Sequence, residues 1–150
     1  MDSLERLAKF VGRWELEAIF PQGVPMEGEV AAHVTFEWIL DGTFLLERSA
    51  VDHPDAPDGY MVIAPNDDGD TYTHHYFDSR GVVRIYDMTF DGRVWTLSRT
   101  QADFSPLDFQ QRYTATFGDD GRTIRGSWEI CHDGKTWQKD FDLNYARVDP

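Results

Sequence analysis

From residue 13 onward, apolar and polar side chains alternate with a period of two along most of the chain. Trp14, Leu16, Ala18 and Phe20 alternate with Arg13, Glu15 and Glu17; Val30, Ala32, Val34, Phe36 and Trp38 alternate with Glu29, His33, Thr35 and Glu37. Successive side chains of a strand point to opposite faces, so this pattern describes strands with one buried face. The first residues differ. Leu4, Leu7, Ala8 and Val11 recur at helical spacing, behind Ser3 as an N-cap and ahead of Gly12 as a C-terminal glycine. The pattern predicts one short helix and then ten strands, near 13–20, 28–40, 43–51, 60–65, 71–77, 82–90, 93–101, 109–117, 122–132 and 135–148.

Turn residues separate these runs. Asp41-Gly42, Asp91-Gly92, Asp120-Gly121 and Asp133-Gly134 stand between alternating segments, with Asp58-Gly59, Asp68-Gly69 and Arg80-Gly81 in the remaining gaps. Asp-Gly supplies the positive φ angles that a two-residue hairpin turn requires. These acidic turns lack the calcium-loop pattern of alternate carboxylates closing on a glutamate. Turn length sets register, and register sets what faces inward. A two-residue Asp41-Gly42 turn places Trp38 opposite Leu45 and Phe36 opposite Glu47, turning Glu47 inward. A type I turn with a glycine bulge at Asp78-Ser79-Arg80-Gly81 sets Tyr76 opposite Arg84, His74 opposite Tyr86 and Tyr72 opposite Met88. A two-residue Asp91-Gly92 turn then sets Arg84 opposite Arg99, Tyr86 opposite Leu97 and Met88 opposite Trp95.

One face of these strands therefore carries Tyr72, His74, Tyr76, Arg84, Tyr86, Met88, Trp95, Leu97 and Arg99. It is assigned to the interior, because outside it would form one large apolar patch. The other face, with His75, Phe77, Val83 and Ile85, would fill a narrower interior and remains the alternative; the aromatic face would then be a dimer surface. Further along, Gln111, Tyr113, Ala115 and Phe117 share parity with Ile124, Gly126, Trp128 and Ile130. Those in turn meet Trp137, Lys139, Phe141, Leu143, Tyr145 and Arg147.

Composition narrows the function classes. The 150 residues suit one domain, 1–150, and the formal charge of −13 argues against nucleic acid and anionic membrane, which call for a basic face. Cys131 is the lone cysteine, so there is no internal disulfide and no cysteine metal framework. No apolar run has the length of a signal sequence or a bilayer span, and a soluble, cytoplasmic protein is expected. Aromatic residues make up 14% of the chain, which favours strands.

Gly12-x-Trp14 near one end and Arg147 near the other resemble the closure of calycins, the superfamily of lipocalins, fatty-acid-binding proteins and nitrobindins. In such a barrel the first and last strands pair, so these residues meet. The segments His75–Val82 and Gly126–Glu129 further resemble an uncharacterised actinobacterial family of that superfamily. The resemblance implies an all-β fold, a ten-stranded antiparallel meander β-barrel with a short N-terminal helix, and carries over no activity. Trp14 and Arg147 are then structural closure.

The inward set reads as a pocket for a small, mostly hydrophobic ligand. Its candidate binding residues are Trp38, Glu47, His74, Tyr76, Arg84, Tyr86, Trp95, Arg99, Gln111, Tyr113 and Trp128. Facing arginines at 84 and 99 would hold an anionic end, similar in kind to the two arginines and tyrosine of fatty-acid-binding proteins, with Tyr76 as the tyrosine. The opposed reading leaves one or both arginines solvated outside, or neutralised by Glu47 or Asp87 as a structural bridge. A second function is cofactor-independent cyclase, isomerase or lyase chemistry, with Glu47 and His74 or His75 as the acid and base and Tyr76 or Tyr86 assisting. No cofactor or metal is expected. Haem ranks last: nitrobindins hold it through a histidine near the C-terminus, the strand from Trp137 to Val148 has none, and His132 precedes the Asp133-Gly134 turn. A homodimer through an exposed aromatic face is the third reading.

Overall fold

In the computed structural model, which describes residues 2–21 and 28–148, ten antiparallel strands close into a barrel. They are β1 (Gly12–Phe20), β2 (Gly28–Ile39), β3 (Phe44–Val51), β4 (Gly59–Pro65), β5 (Thr71–Asp78), β6 (Val83–Phe90), β7 (Val94–Arg99), β8 (Gln110–Phe117), β9 (Thr123–Cys131) and β10 (Gln138–Arg147). Each pairs with its neighbours in sequence, and β1 pairs with β10, so no strand edge stays open.

A short helix, α1 (Ser3–Leu7), and a 3₁₀ turn (Ala8–Phe10) plug one end. The N-cap is Asp2, not Ser3: the Asp2 side chain accepts the Glu5 N–H at 2.8 Å, and Ser3 is the first helical residue. Both are good caps, and docking chooses between them, since the Ser3 carbonyl accepts the Tyr72 hydroxyl at 2.5 Å. Gly12 does not end the helix either. It begins β1 opposite Phe36, at φ 134°, an angle that favours glycine. The Phe10 ring sits among Phe36, Phe90, Trp95 and Phe117, with centroids 5.1, 4.8, 4.9 and 5.1 Å away.

The two chain ends meet as the closure geometry demands. Trp14 pairs with Arg147, whose guanidinium lies 4.2 Å over the indole. Arg147 also donates to the carbonyls of Val11 and Lys9, each at 2.7 Å, and Trp14 Nε1–H donates to Phe10 O at 2.8 Å. These bonds take up carbonyls that a helix end leaves without intrahelical partners.

Registers follow the turn chemistry in most places. Trp38 lies opposite Leu45 and Phe36 opposite Glu47, although the loop is Leu40–Thr43, with Leu40, Asp41 and Gly42 at φ 49°, 62° and 77°. Strands β5 and β6 pair as predicted, Tyr76 with Arg84 and His74 with Tyr86. Strands β6 and β7 do not. Met88 faces Leu97 and Phe90 faces Trp95, because the Asp91 carboxylate accepts the N–H groups of Arg93 and Val94 at 2.9 and 2.7 Å and lengthens the loop. The slip is even, so faces are preserved, but Arg84 no longer opposes Arg99. In β10 an irregularity between Lys139 and Phe141 puts Lys139 opposite Glu129 and Gln138 opposite Ile130. Trp137 and Lys139 thus leave the predicted inward row, and Trp137 lies 4.1 Å under the Arg112 guanidinium. Beyond it Phe141, Leu143 and Tyr145 keep their parity against Trp128, Gly126 and Ile124. At Gly126 a Cβ would stand 2.5 Å from Ala115 Cβ, so a side chain there would not fit.

Candidate ligand cavity

Beyond the plug the barrel encloses a cavity of about 370 Å³. Its walls include Leu16, Ala18, Met61, Leu97, Phe141 and Leu143, while Asp55, Ala56, Pro57, Arg80 and Arg84 line it from the end opposite the helix. The aromatic face of β5–β7 is turned inward: Tyr72, His74, Tyr86, Met88, Trp95, Leu97 and Arg99 are all buried. The aromatic face that the alternative register would have exposed as a dimer surface is therefore inside the barrel.

Of the residues expected to bind, Glu47, His74, Tyr76, Arg84, Tyr86, Trp95, Gln111, Tyr113 and Trp128 line the cavity. Trp38 and Arg99 do not. Trp38 pairs with Leu45 near the turn that follows β2 and packs against the core. Arg99 is buried on the inward side, but its Nε and Nη2 donate to Asp103 at 3.0 and 2.9 Å, and Nη2 donates to the carbonyls of Ser105 and Pro106 at 2.9 and 3.1 Å. The structural bridge therefore exists, with Asp103 as its partner rather than Glu47 or Asp87. Asp103 also accepts the Ile85 N–H at 2.7 Å, where the β6–β7 ladder has run out, and Ser105 donates to Val83 O at 2.7 Å. The loop after β7 thus completes the wall that the shortened strand leaves.

Deep in the cavity, Glu47 and His74 are both 3% exposed. They stand on β3 and β5 with β4 between them, offset diagonally, because Glu47 pairs with Met61 and His74 with Ile63. His74 Nε2 is 3.8 Å from Glu47 Oε1, beyond hydrogen-bond distance. Tyr145, from β10, donates its hydroxyl to Glu47 Oε2 at 3.2 Å. Burial, and next the neighbouring Glu47, push the hydroxyls of Tyr145 and Tyr113 well above their ordinary pKa. Tyr145 is the member of this cluster that sequence reasoning did not select. Its inward parity was visible, but a partner 98 residues away was not.

The other expected acid–base residues are engaged elsewhere. Tyr76 donates to Asp78 at 2.7 Å, and Arg80 grips the same carboxylate at 2.6 Å. Burial and the Asp78 contact raise Tyr76. Tyr86 donates to Gln111 Oε1 at 3.1 Å; burial raises it, opposed by Arg84. His75 faces away from the cavity, half-buried, opposite Val62 and Ile85, and burial lowers its pKa. His132 is exposed, its ring 5.7 Å from that of Phe109.

Four buried side-chain atoms have no hydrogen-bond partner among the described residues: Nδ1 and Nε2 of His74, Nε of Arg84 and Nε1 of Trp95. All three residues line this cavity. Among the described residues no group of three or more His, Cys, Asp or Glu is disposed to hold a metal ion, and no helix is long and apolar enough to cross a membrane.

No family model matches this chain, and no curated protein matches its sequence. A solved structure does: the crystal structure of Rv2717c from M. tuberculosis aligns with a TM-score of 0.69 over 97% of each chain, at 14% identity. At that identity the likeness concerns the fold. The chain is similar to that mycobacterial protein in its architecture, and its chemistry is read from its own residues.

Proposed function

We propose that this protein binds a small, largely apolar molecule inside its barrel, with an anionic or strongly polar end toward Arg84. The observation that carries the reading is the set of unpartnered polar atoms on His74, Arg84 and Trp95, gathered around one cavity of about 370 Å³. Leaving a buried polar group unpaired costs about 1–3 kcal/mol, and a ligand reaching these atoms offsets that cost. Volume and lining suit a drug-sized ligand with a few fixed polar contacts. The facing-arginine clamp is replaced by one arginine, since Arg99 is neutralised by Asp103. A calycin-type barrel is part of this reading, supported by the ten-strand meander and the Trp14–Arg147 closure. So is a reducing compartment, with which the single, buried Cys131 is in keeping.

Native mass spectrometry of protein purified from its own host, followed by extraction, tests the proposal, together with titration of anilinonaphthalene sulfonate, an aromatic anion, into the extracted protein. An adduct, or saturable binding that Arg84→Met weakens about tenfold, is expected. Neither adduct nor binding would overturn it.

A second reading is favoured by the meeting of Glu47, His74 and Tyr145. A buried carboxyl group beside an imidazole and a phenol can move a proton on a bound substrate, giving isomerase, cyclase or lyase chemistry without a cofactor. Once a substrate is in hand, loss of turnover in Glu47→Gln and His74→Ala is expected. Full turnover in both excludes it.

A further inference from the structure

We infer that the inner end of the cavity is a receptor for a hydroxyl group, alcohol or phenol, carried on a ring system; this rests on the barrel being a ligand-binding cavity. Glu47 Oε1 and His74 Nε2 are 3.8 Å apart. That is too long for a bond between them, yet one oxygen about 2.8 Å from each closes a triangle on that base. The oxygen in that position must serve both neighbours. Where the Glu47 carboxylate accepts and the His74 Nε2–H donates, the bridging group must donate once and accept once. A hydroxyl does both. A carbonyl or ether oxygen would set its lone pairs against Glu47, and a ligand carboxylate would bring a second negative charge beside it.

Three features hold the receptor in shape. Tyr145 occupies the other Glu47 oxygen at 3.2 Å, which orients the carboxyl group and leaves Oε1 for the ligand. Both His74 nitrogens are buried and have no hydrogen-bond partner among the described residues, so no described group competes with a ligand for Nε2. The surrounding wall is aromatic: Trp128 lies 5.5 Å from Tyr86 and 5.2 Å from Tyr113, and Trp95 lies 5.3 Å from Tyr113, between ring centroids. A planar ring lying in the cavity would find faces and edges of these rings to pack against. The free Nε1–H of Trp95 is a further donor on the same cavity for an acceptor atom of the ligand. The recognised class is therefore a hydroxylated cyclic compound with its hydroxyl innermost.

Isothermal titration of the extracted protein with naphthol, methylnaphthalene and methoxynaphthalene tests this. Naphthol is expected to bind about tenfold more tightly than either analogue, as for one buried hydrogen bond. The preference is expected to fall to within about twofold in Glu47→Leu and in His74→Phe. Equal binding of all three to the native protein overturns the hydroxyl receptor while leaving the cavity reading in place; no binding by any of them overturns both. A naphthol preference that persists in both variants also overturns the receptor. If the variants do not fold, nuclear Overhauser contacts between naphthol and the His74 ring are expected in the native protein, and their absence at saturating naphthol overturns the proposal.

Discussion

The Arg99 side chain is 2% exposed, and that of Asp103, which it grips through two nitrogens, is 9% exposed. A charge removed from water is tolerated when its partner and further hydrogen bonds are in place, and breaking such a pair strands the other charge. Asp103→Ala is therefore expected to destabilise the fold by about 3 kcal/mol in urea unfolding at neutral pH. The Arg99 guanidinium, aided by the N–H groups of Ser105 and Ile85, holds the Asp103 carboxyl well below the ordinary carboxylate range. A depressed folded pKa contributes stability above the unfolded value of about 3.9, and that contribution fades as pH falls below it. The gap between native protein and Asp103→Ala is accordingly expected to narrow between about pH 4 and pH 2. Arg84, on the same inward parity, lacks such a partner for its Nε and keeps it at the cavity. Parity could place both arginines inside. It could not separate them, because Asp103 lies in the aperiodic stretch between β7 and β8, where no spacing rule predicts a contact.

The helix and 3₁₀ turn matter mainly as a stopper. Spacing of Leu4, Leu7, Ala8 and Val11 made the element legible, but eight residues of helical chain have little stability of their own. Its order comes from inserting Phe10 among four aromatic rings and from Tyr72 holding Ser3. Phe10→Ala is expected to cost about 3–5 kcal/mol in chemical denaturation, since it removes a fully buried ring and leaves a void next to Trp95. Among the strands, the β6–β7 slip shows why an Asp-Gly pair alone does not give register. The Asp91 side chain capped two further amides and drew Arg93 and Val94 into the turn. Side-chain capping of a turn competes with the shorter turn that the dipeptide by itself favours.

Closure belongs to the whole molecule. The β1–β10 ladder joins segments separated by nearly the entire chain, and Arg147 crosses that seam to Trp14, Val11 and Lys9. Arg147→Met keeps the aliphatic stem while removing the donors and the charge over the indole. It is expected to cost about 2 kcal/mol and to speed amide hydrogen exchange along β1 and β10 more than along β5 and β6. Ligand affinity should change little, because Arg147 is not among the cavity residues.

Alternation, turn residues and the paired signature at the chain ends were enough to give the strand count and most registers, because each depends on neighbours in sequence or on the single requirement that a barrel closes; for β5–β7 they favoured one inward face but left the other open, and burial decided between them. Glu47 and Tyr113 were recognisable as inward from their neighbours in sequence, whereas His74 and His75 stayed interchangeable until the sheet had closed. The meeting of Glu47, His74 and Tyr145, the capture of Arg99 by Asp103, and the withdrawal of Trp38 from the cavity were not recognisable. Distances across a barrel depend on the tilt and stagger of all its strands and on where the plug seats, and those emerge only when the entire sheet has closed on its core.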